Sequence, residues 1–177
     1  MEIKINNNLK LESVSLNDAE QTFRLIDNSR DYLREWLPWV DQIKSVDDVR
    51  KNIEAAILRN DLQEGLELGL KYNNKVIGRI GLHFIDKANN RTSIGYWLSP
   101  SCQGNGVMRE AVKALCAYCF DELNMNRIEI ACATGNTKSQ SIPTRLGFII
   151  EGTLRHKELL NGSYVDHNLY VLLKENS

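Results

Sequence analysis

Leu9-Lys10-Leu11-Glu12-Ser13-Val14 alternates apolar with polar residues and predicts a first strand. Asn17, with Glu20 three residues on, fits a capping box at a helix start. Phe23, Leu25, Ile26, Tyr32, Leu33 and Trp36 then follow a helical stripe, which predicts one broken or two consecutive helices ending before Pro38. Ser45 with Asp48 opens a further helix carrying Val46, Val49, Ile53, Ala56 and Ile57. The period then changes. Leu66, Leu68, Leu70 and Tyr72 alternate, Asn73-Asn74 makes a turn, and Val76 to Phe84 reads as the return strand of a hairpin. A turn at Asn89-Asn90 leads to a third strand, Thr92–Leu98, so three antiparallel strands run in succession. Val107–Leu123 is the strongest helical pattern, with Met108, Ala111, Val112, Leu115, Cys116, Cys119, Phe120 and Leu123 on one stripe. Arg127–Ala133 is a short strand and Asn136–Leu146 a short helix stopped by Gly147. Phe148 onward is extended, Asn161-Gly162 is a hairpin turn, and Tyr164–Leu173 is the last strand. The order β-αα-βββ-α-β-α-ββ predicts a single α/β domain over residues 1–177, with no linker, repeat or low-complexity tract.

The chain's 177 residues suffice for one core without a disulfide or metal staple. Its 22 Lys+Arg balance 23 Asp+Glu, for a net charge of -1. A nucleic-acid partner usually leaves a basic excess, so none is expected. The apolar runs fall short of the ~20 residues of a membrane span, and Met1-Glu2-Ile3-Lys4-Ile5-Asn6 lacks the layout of a secretory signal. No membrane association is expected, and a cytoplasmic location is. Of the four cysteines, Cys102, Cys116, Cys119 and Cys132, one pair forms Cys116-Ala-Tyr-Cys119. A CxxC raises a redox pair or half a zinc site, but its place on the apolar stripe predicts core packing. His83, His156 and His167 form no metal-binding spacing, so no metal is expected.

The chemistry concentrates in Leu98-Ser99-Pro100-Ser101-Cys102-Gln103-Gly104-Asn105-Gly106-Val107-Met108. A strand stops at a proline, two glycines follow, and the long helix begins. Glycines let successive backbone N–H groups face one ligand, and with the helix dipole these suit a phosphate or pyrophosphate. The alternative is a plain turn. No Walker loop is present. A dinucleotide fingerprint lacks its third glycine, since Gly104-Asn105-Gly106 is followed by Val107-Met108-Arg109 in an antiparallel context.

Here the chain resembles the GCN5-related N-acetyltransferases, whose pyrophosphate loop aligns with Gln103-Gly104-Asn105-Gly106-Val107-Met108. The resemblance is closest to the RimL-like branch, which acetylates ribosomal-protein N-termini. It rests on Ile94-Gly95-Tyr96-Trp97-Leu98, on Asn126-Arg127-Ile128-Glu129-Ile130, and on Asn136-Thr137-Lys138-Ser139 with Ile142-Pro143, Arg145-Leu146-Gly147-Phe148 and Glu151-Gly152.

The resemblance implies acetyl-CoA as cosubstrate and a mixed, mostly antiparallel sheet flanked by helices and splayed between strands 92–98 and 127–133. It implies that Gln103, Gly104, Asn105, Gly106, Val107 and Met108 hold the pyrophosphate, and that the pantetheine arm pairs with Tyr96, Trp97 and Leu98 and bonds Asn136. Ser139 would protonate the departing thiolate. Trp36 and Trp39, in Trp36-Leu37-Pro38-Trp39, would wall the acceptor site; burial at a helix end is the other reading. Relatives in this branch are often homodimers. The reaction is direct attack of a primary amine, which must first lose a proton. Branch members often carry Glu before Ile-Gly-Tyr, where this chain has Ser93, which can only hold a water. His83 and Asp166 are the other candidate bases. A weak base suits an α-amine, pKa ~7.7–8, better than a lysine at ~10.4. The acceptor is therefore expected to be a protein N-terminus. A small amine such as a polyamine or antibiotic, and a non-catalytic acyl-CoA-binding module, are the alternatives.

Overall fold

The computed structural model describes residues 1–176. Its eight strands form one sheet in the order β1-β2-β3-β4-β5-β6-β8-β7. The strands are β1 (Glu2–Lys4), β2 (Leu9–Ser13), β3 (Leu66–Tyr72), β4 (Lys75–Asp86), β5 (Arg91–Leu98), β6 (Arg127–Ala133), β7 (Ile149–Leu160) and β8 (Ser163–Leu173). The helices are α1 (Ala19–Asp27), α2 (Arg30–Arg34), α3 (Val46–Asp61), α4 (Val107–Asp121) and α5 (Thr137–Arg145). The α/β class and the order of elements agree with the sequence pattern. Strand β1 is an addition, too short to leave an alternation. The start of α1 is a correction: Ser15, not Asn17, caps a short 3-10 turn whose last residue leads into the helix. The Ser45/Asp48 capping box forms as expected.

Asn73 and Asn74 both take left-handed backbone, with φ of 48° and 61°. That pair of angles matches the right-handed twist of the flanking strands, and asparagine tolerates it better than most residues.

Every neighbouring pair in the sheet is antiparallel except β5 and β6. These two run parallel and pair only at Arg91–Arg127, Thr92–Ile128 and Ser93–Glu129. Beyond Ser93 they part, while β4 continues to pair with β5 and β8 with β6. The sheet thus opens into a V whose inner edges carry free N–H and C=O groups.

The alternation of β5 shows how the two faces are filled. Ile94, Tyr96 and Leu98 join the core that buries α4, whereas Trp97 joins the core of α1 and α3. Helix α4 buries Met108, Ala111, Val112, Leu115, Cys116, Cys119 and Phe120. Both CxxC thiols are free and part of that core. Burial pushes the Cys116 thiol up to about 12 and raises Cys119 as well, so neither supplies a thiolate at neutral pH.

On the α1 side, Lys71 is 8% exposed and lies 2.6 Å from Glu12 and 2.9 Å from Asp18. Hydrogen bonds from Lys71 and then Lys10 hold the Glu12 carboxyl below its usual 4.5. Lys71→Met leaves two carboxylates facing each other and is expected to cost about 2 kcal/mol at pH 7, toward the low end for a broken buried pair because Glu12 is partly exposed. A depressed carboxyl pKa contributes stability above its unfolded value, and that contribution fades as pH falls through the folded one. The difference between wild type and variant in urea unfolding should therefore shrink below about pH 4.5. An unchanged difference at pH 3 would show that packing, not charge, is responsible.

Candidate acetyl-transfer site

The opening between β5 and β6 widens into a cleft of about 790 Å³. At one end lies the glycine loop. Strand β5 stops at Leu98, Pro100–Cys102 makes a 3-10 turn, and α4 starts at Val107. Gly104 and Gly106 have φ of 87° and 72°, so the chain can turn its amides toward the cleft only through residues without a Cβ. No side chain caps α4, and its first-turn N–H groups are left for a ligand. Gly104, Gly106, Val107 and Met108 line the cleft. Gln103 lines it too and also braces the loop. Its Nε2 donates to the Leu98 carbonyl (3.4 Å) and to the Tyr32 hydroxyl (2.9 Å), tying the loop to α2. Asn105 is not among the lining residues.

Three cationic side chains also line this cleft: Arg109, Lys138 and Arg145. No spacing in the sequence marks them, because they come from two helices that meet only in the fold. They supply positive charge where a polyanion would lie, although the whole chain has a net charge of -1.

Midway along the V, Tyr96, Trp97 and Leu98 present their backbone to the cleft. Asn136 caps α5 by accepting from the Ser139 N–H at 3.0 Å, and it lines the cleft at the same time. One consistent set of donors runs through three side chains. The Cys132 thiol donates to Ser139 Oγ (3.2 Å), Ser139 Oγ donates to the Tyr96 hydroxyl (3.3 Å), and that hydroxyl donates to the Ser139 carbonyl (3.0 Å). Burial raises the Tyr96 pKa well above 10, which keeps it a hydroxyl donor. Ser139 is therefore a part-buried hydroxyl in the cleft wall, with its proton directed at Tyr96.

The far end is walled by Trp36 from just beyond α2, whose ring packs 3.3 Å from the point where a Cβ on Gly135 would be. Trp39 lies elsewhere, against Trp97 with ring centroids 6.1 Å apart. Glu158 and His167 complete this end, with Glu158 Oε2 3.3 Å from His167 Nε2. Glu158 is the one carboxylate among the lining residues described. Sequence reasoning missed it. The β7–β8 register shifts between Leu154 and Glu158, where His156 takes a φ of 48°. That irregularity breaks the simple alternation which otherwise tells which face a strand residue occupies.

Ser93 and the two candidate bases, Asp166 and His83, sit differently. Ser93 donates its hydroxyl to the His83 carbonyl at 3.2 Å and is not among the residues lining the cleft. Asp166 accepts from the His156 N–H at 2.8 Å and is likewise outside it. His83 lies over Gly95 on the α1 side of the sheet, and desolvation, with Arg59 nearby, lowers its pKa.

Comparison with known proteins agrees with this geometry. The model of the acetyltransferase (GNAT) domain matches residues 8–149. The ribosomal-protein-serine acetyltransferase of Escherichia coli (strain K12) is 31% identical over 169 residues, covering 96% of this chain and 94% of the relative. The microcin C7 self-immunity acetyltransferase MccE, solved with acetyl-CoA and AMP, is 30% identical with a TM-score of 0.92, covering 96% of this chain and 94% of that one. RimL, a ribosomal L7/L12 α-N-protein acetyltransferase solved with coenzyme A, is 25% identical with a TM-score of 0.95 over the full length of both chains. With a sheet that splays into a V and a family model matching most of its length, the chain belongs to the GNAT acetyltransferases as an N-acetyltransferase that uses acetyl-CoA.

Proposed function

We propose that the protein acetylates the α-amine at the N-terminus of a protein, of the ribosomal kind, as one N-acetyltransferase domain over residues 1–177 working in the cytoplasm. The carrying observation is the charge left for the acceptor once Arg109, Lys138 and Arg145 face the polyanionic cosubstrate: a single carboxylate, Glu158, beside His167. Such a lining disfavours a polyamine, which brings several positive charges, and tolerates a peptide, which brings one. The acceptors named for the E. coli relative and for RimL support the same reading.

Glu158 takes the proton from the acceptor's ammonium, with His167 beside it as a second proton-accepting group. The freed amine attacks the thioester carbonyl. Backbone N–H groups at Tyr96–Leu98 stabilise the oxyanion. Ser139 turns its hydroxyl from Tyr96 to the leaving sulfur and gives it a proton, which solvent restores as Glu158 releases the amine's proton to it. Gln103 to Met108 hold the pyrophosphate and Asn136 the pantetheine arm, while Trp36 flanks the acceptor.

The test is thiol release from acetyl-CoA with a panel of amines: a peptide with a free N-terminus, an N-blocked lysine peptide, spermidine, and purified ribosomal proteins. The free N-terminus and the ribosomal proteins are expected to react fastest. Faster lysine or spermidine acetylation overturns the reading, and tight acetyl-CoA binding with no turnover of any amine points to a binding module.

A further inference from the structure

A second cavity, of about 290 Å³, lies toward α1 and α3, on the face of the sheet away from α4. It shares Leu37 and Gly95–Trp97 with the acetyl-transfer cleft, where β5 has already parted from β6. Beneath its lining residues Glu67 and His83 run two glycines, Gly81 and Gly95, which face each other across the β4–β5 ladder. A Cβ at position 81 would lie 2.6 Å from Glu67 Oε2, and one at position 95 would lie 2.7 Å from His83 Nε2. Glu67 and His83 therefore lie down against the sheet, which leaves room above them.

Two polar groups in the wall of this cavity lack partners. Arg79 is 6% exposed and donates one hydrogen bond, from Nη1 to Asn52 Oδ1 at 2.8 Å. Among the described residues its other N–H donors have no acceptor. Thr22 is 1% exposed, and its Oγ1 is buried with no partner at all. Native interiors rarely leave such groups unanswered. A carboxylate answers the arginine, by accepting two N–H bonds from the guanidinium fork, whereas the threonine hydroxyl is sealed behind the cavity wall. The charge agrees. Arg79 and Arg59 face the cavity against a single carboxyl, Glu67, whose pKa burial raises, while His83 is desolvated toward its neutral form. An anion is favoured there and an ammonium is not.

We propose that this cavity is a specificity subsite that takes the carboxylate of an aspartate or glutamate within the first two residues of a peptide acceptor, with Arg79 as its ligand, held in place by Asn52. The proposal rests on the N-terminal acetyltransferase reading, because the amine must reach the thioester through the shared wall at Gly95–Trp97.

The test uses the intact enzyme and peptides that differ only by Glu, Gln or Lys at position one or two. The glutamate peptide should exceed its glutamine isostere in kcat/KM by about tenfold, the scale of a charge-assisted hydrogen bond, with lysine lowest. Arg79→Gln should bring the Glu/Gln ratio to about one. Arg79→Lys, which keeps the charge but loses the two-pronged fork, should reduce it in part, and serves if the glutamine variant unfolds on heating. Acetyl-CoA affinity should not change in either. Equal rates across the series at both positions overturn the subsite while leaving N-terminal acetylation intact. No turnover of any peptide overturns both.

Discussion

Glu158→Gln is expected to lower kcat toward a free-N-terminus peptide by about a hundred- to ten-thousand-fold, the range spanned by a positioned general base. Glutamine keeps the length and shape of the side chain, so the β7–β8 pairing around it should persist. What it loses is the ability to take a proton from an ammonium. His167, 3.3 Å away, remains and sets the residual rate. Acetyl-CoA affinity should be unchanged, since the residue lies at the opposite end of the cleft from the glycine loop. The pH profile adds a second readout. In the variant the rate should climb with the amine's own deprotonation, through about pH 8 for an α-amine. A kcat within about threefold of wild type, measured by thiol release at saturating acetyl-CoA, would remove Glu158 from the mechanism.

Gly106→Val is expected to act on the other parameter. Gly106 holds a φ of 72° directly before α4. A β-branched residue there costs about 1–2 kcal/mol or more in the left-handed region. The loop can relieve that strain only by turning its amides away from the cleft. The Kd for acetyl-CoA should rise about tenfold or more, while kcat at saturation changes little. Gly104→Ala, at a φ of 87° with open space around it, should show a smaller shift in the same direction. Calorimetric titration separates the two outcomes. Unaltered affinity in both variants would mean that the loop does not carry the pyrophosphate.

These predictions divide along what could be read from the residues. The glycine loop was visible because a strand, two glycines and a strong amphipathic helix are local patterns, each with one conformational meaning. The Asn73-Asn74 and Asn161-Gly162 turns and the Ser45/Asp48 cap were visible for the same reason. Ser139 was marked only by resemblance to the family, since a serine one turn after a capping Asn136 has no distinctive local pattern. Glu158 and His167 were not, because they meet across a ladder whose register shifts near His156. Ser93 was singled out because it stands where branch members carry Glu, and Asp166 as a candidate base near the chain's end, but each is directed to a backbone partner outside the cleft. Trp36 and Trp39 are three residues apart and serve different cavities.

The sequence by itself determined the element order and a glycine loop suited to a phosphate, because turn chemistry, helix periodicity and glycine placement act over a few residues at a time, and the class of cosubstrate followed from family resemblance. Only the tertiary structure decided where β5 leaves β6, which side chains gather at the acceptor end, and that buried Arg79 looks into a second cavity. Those features depend on strand register and on helices meeting across the sheet, and contacts between distant segments leave no period in the chain.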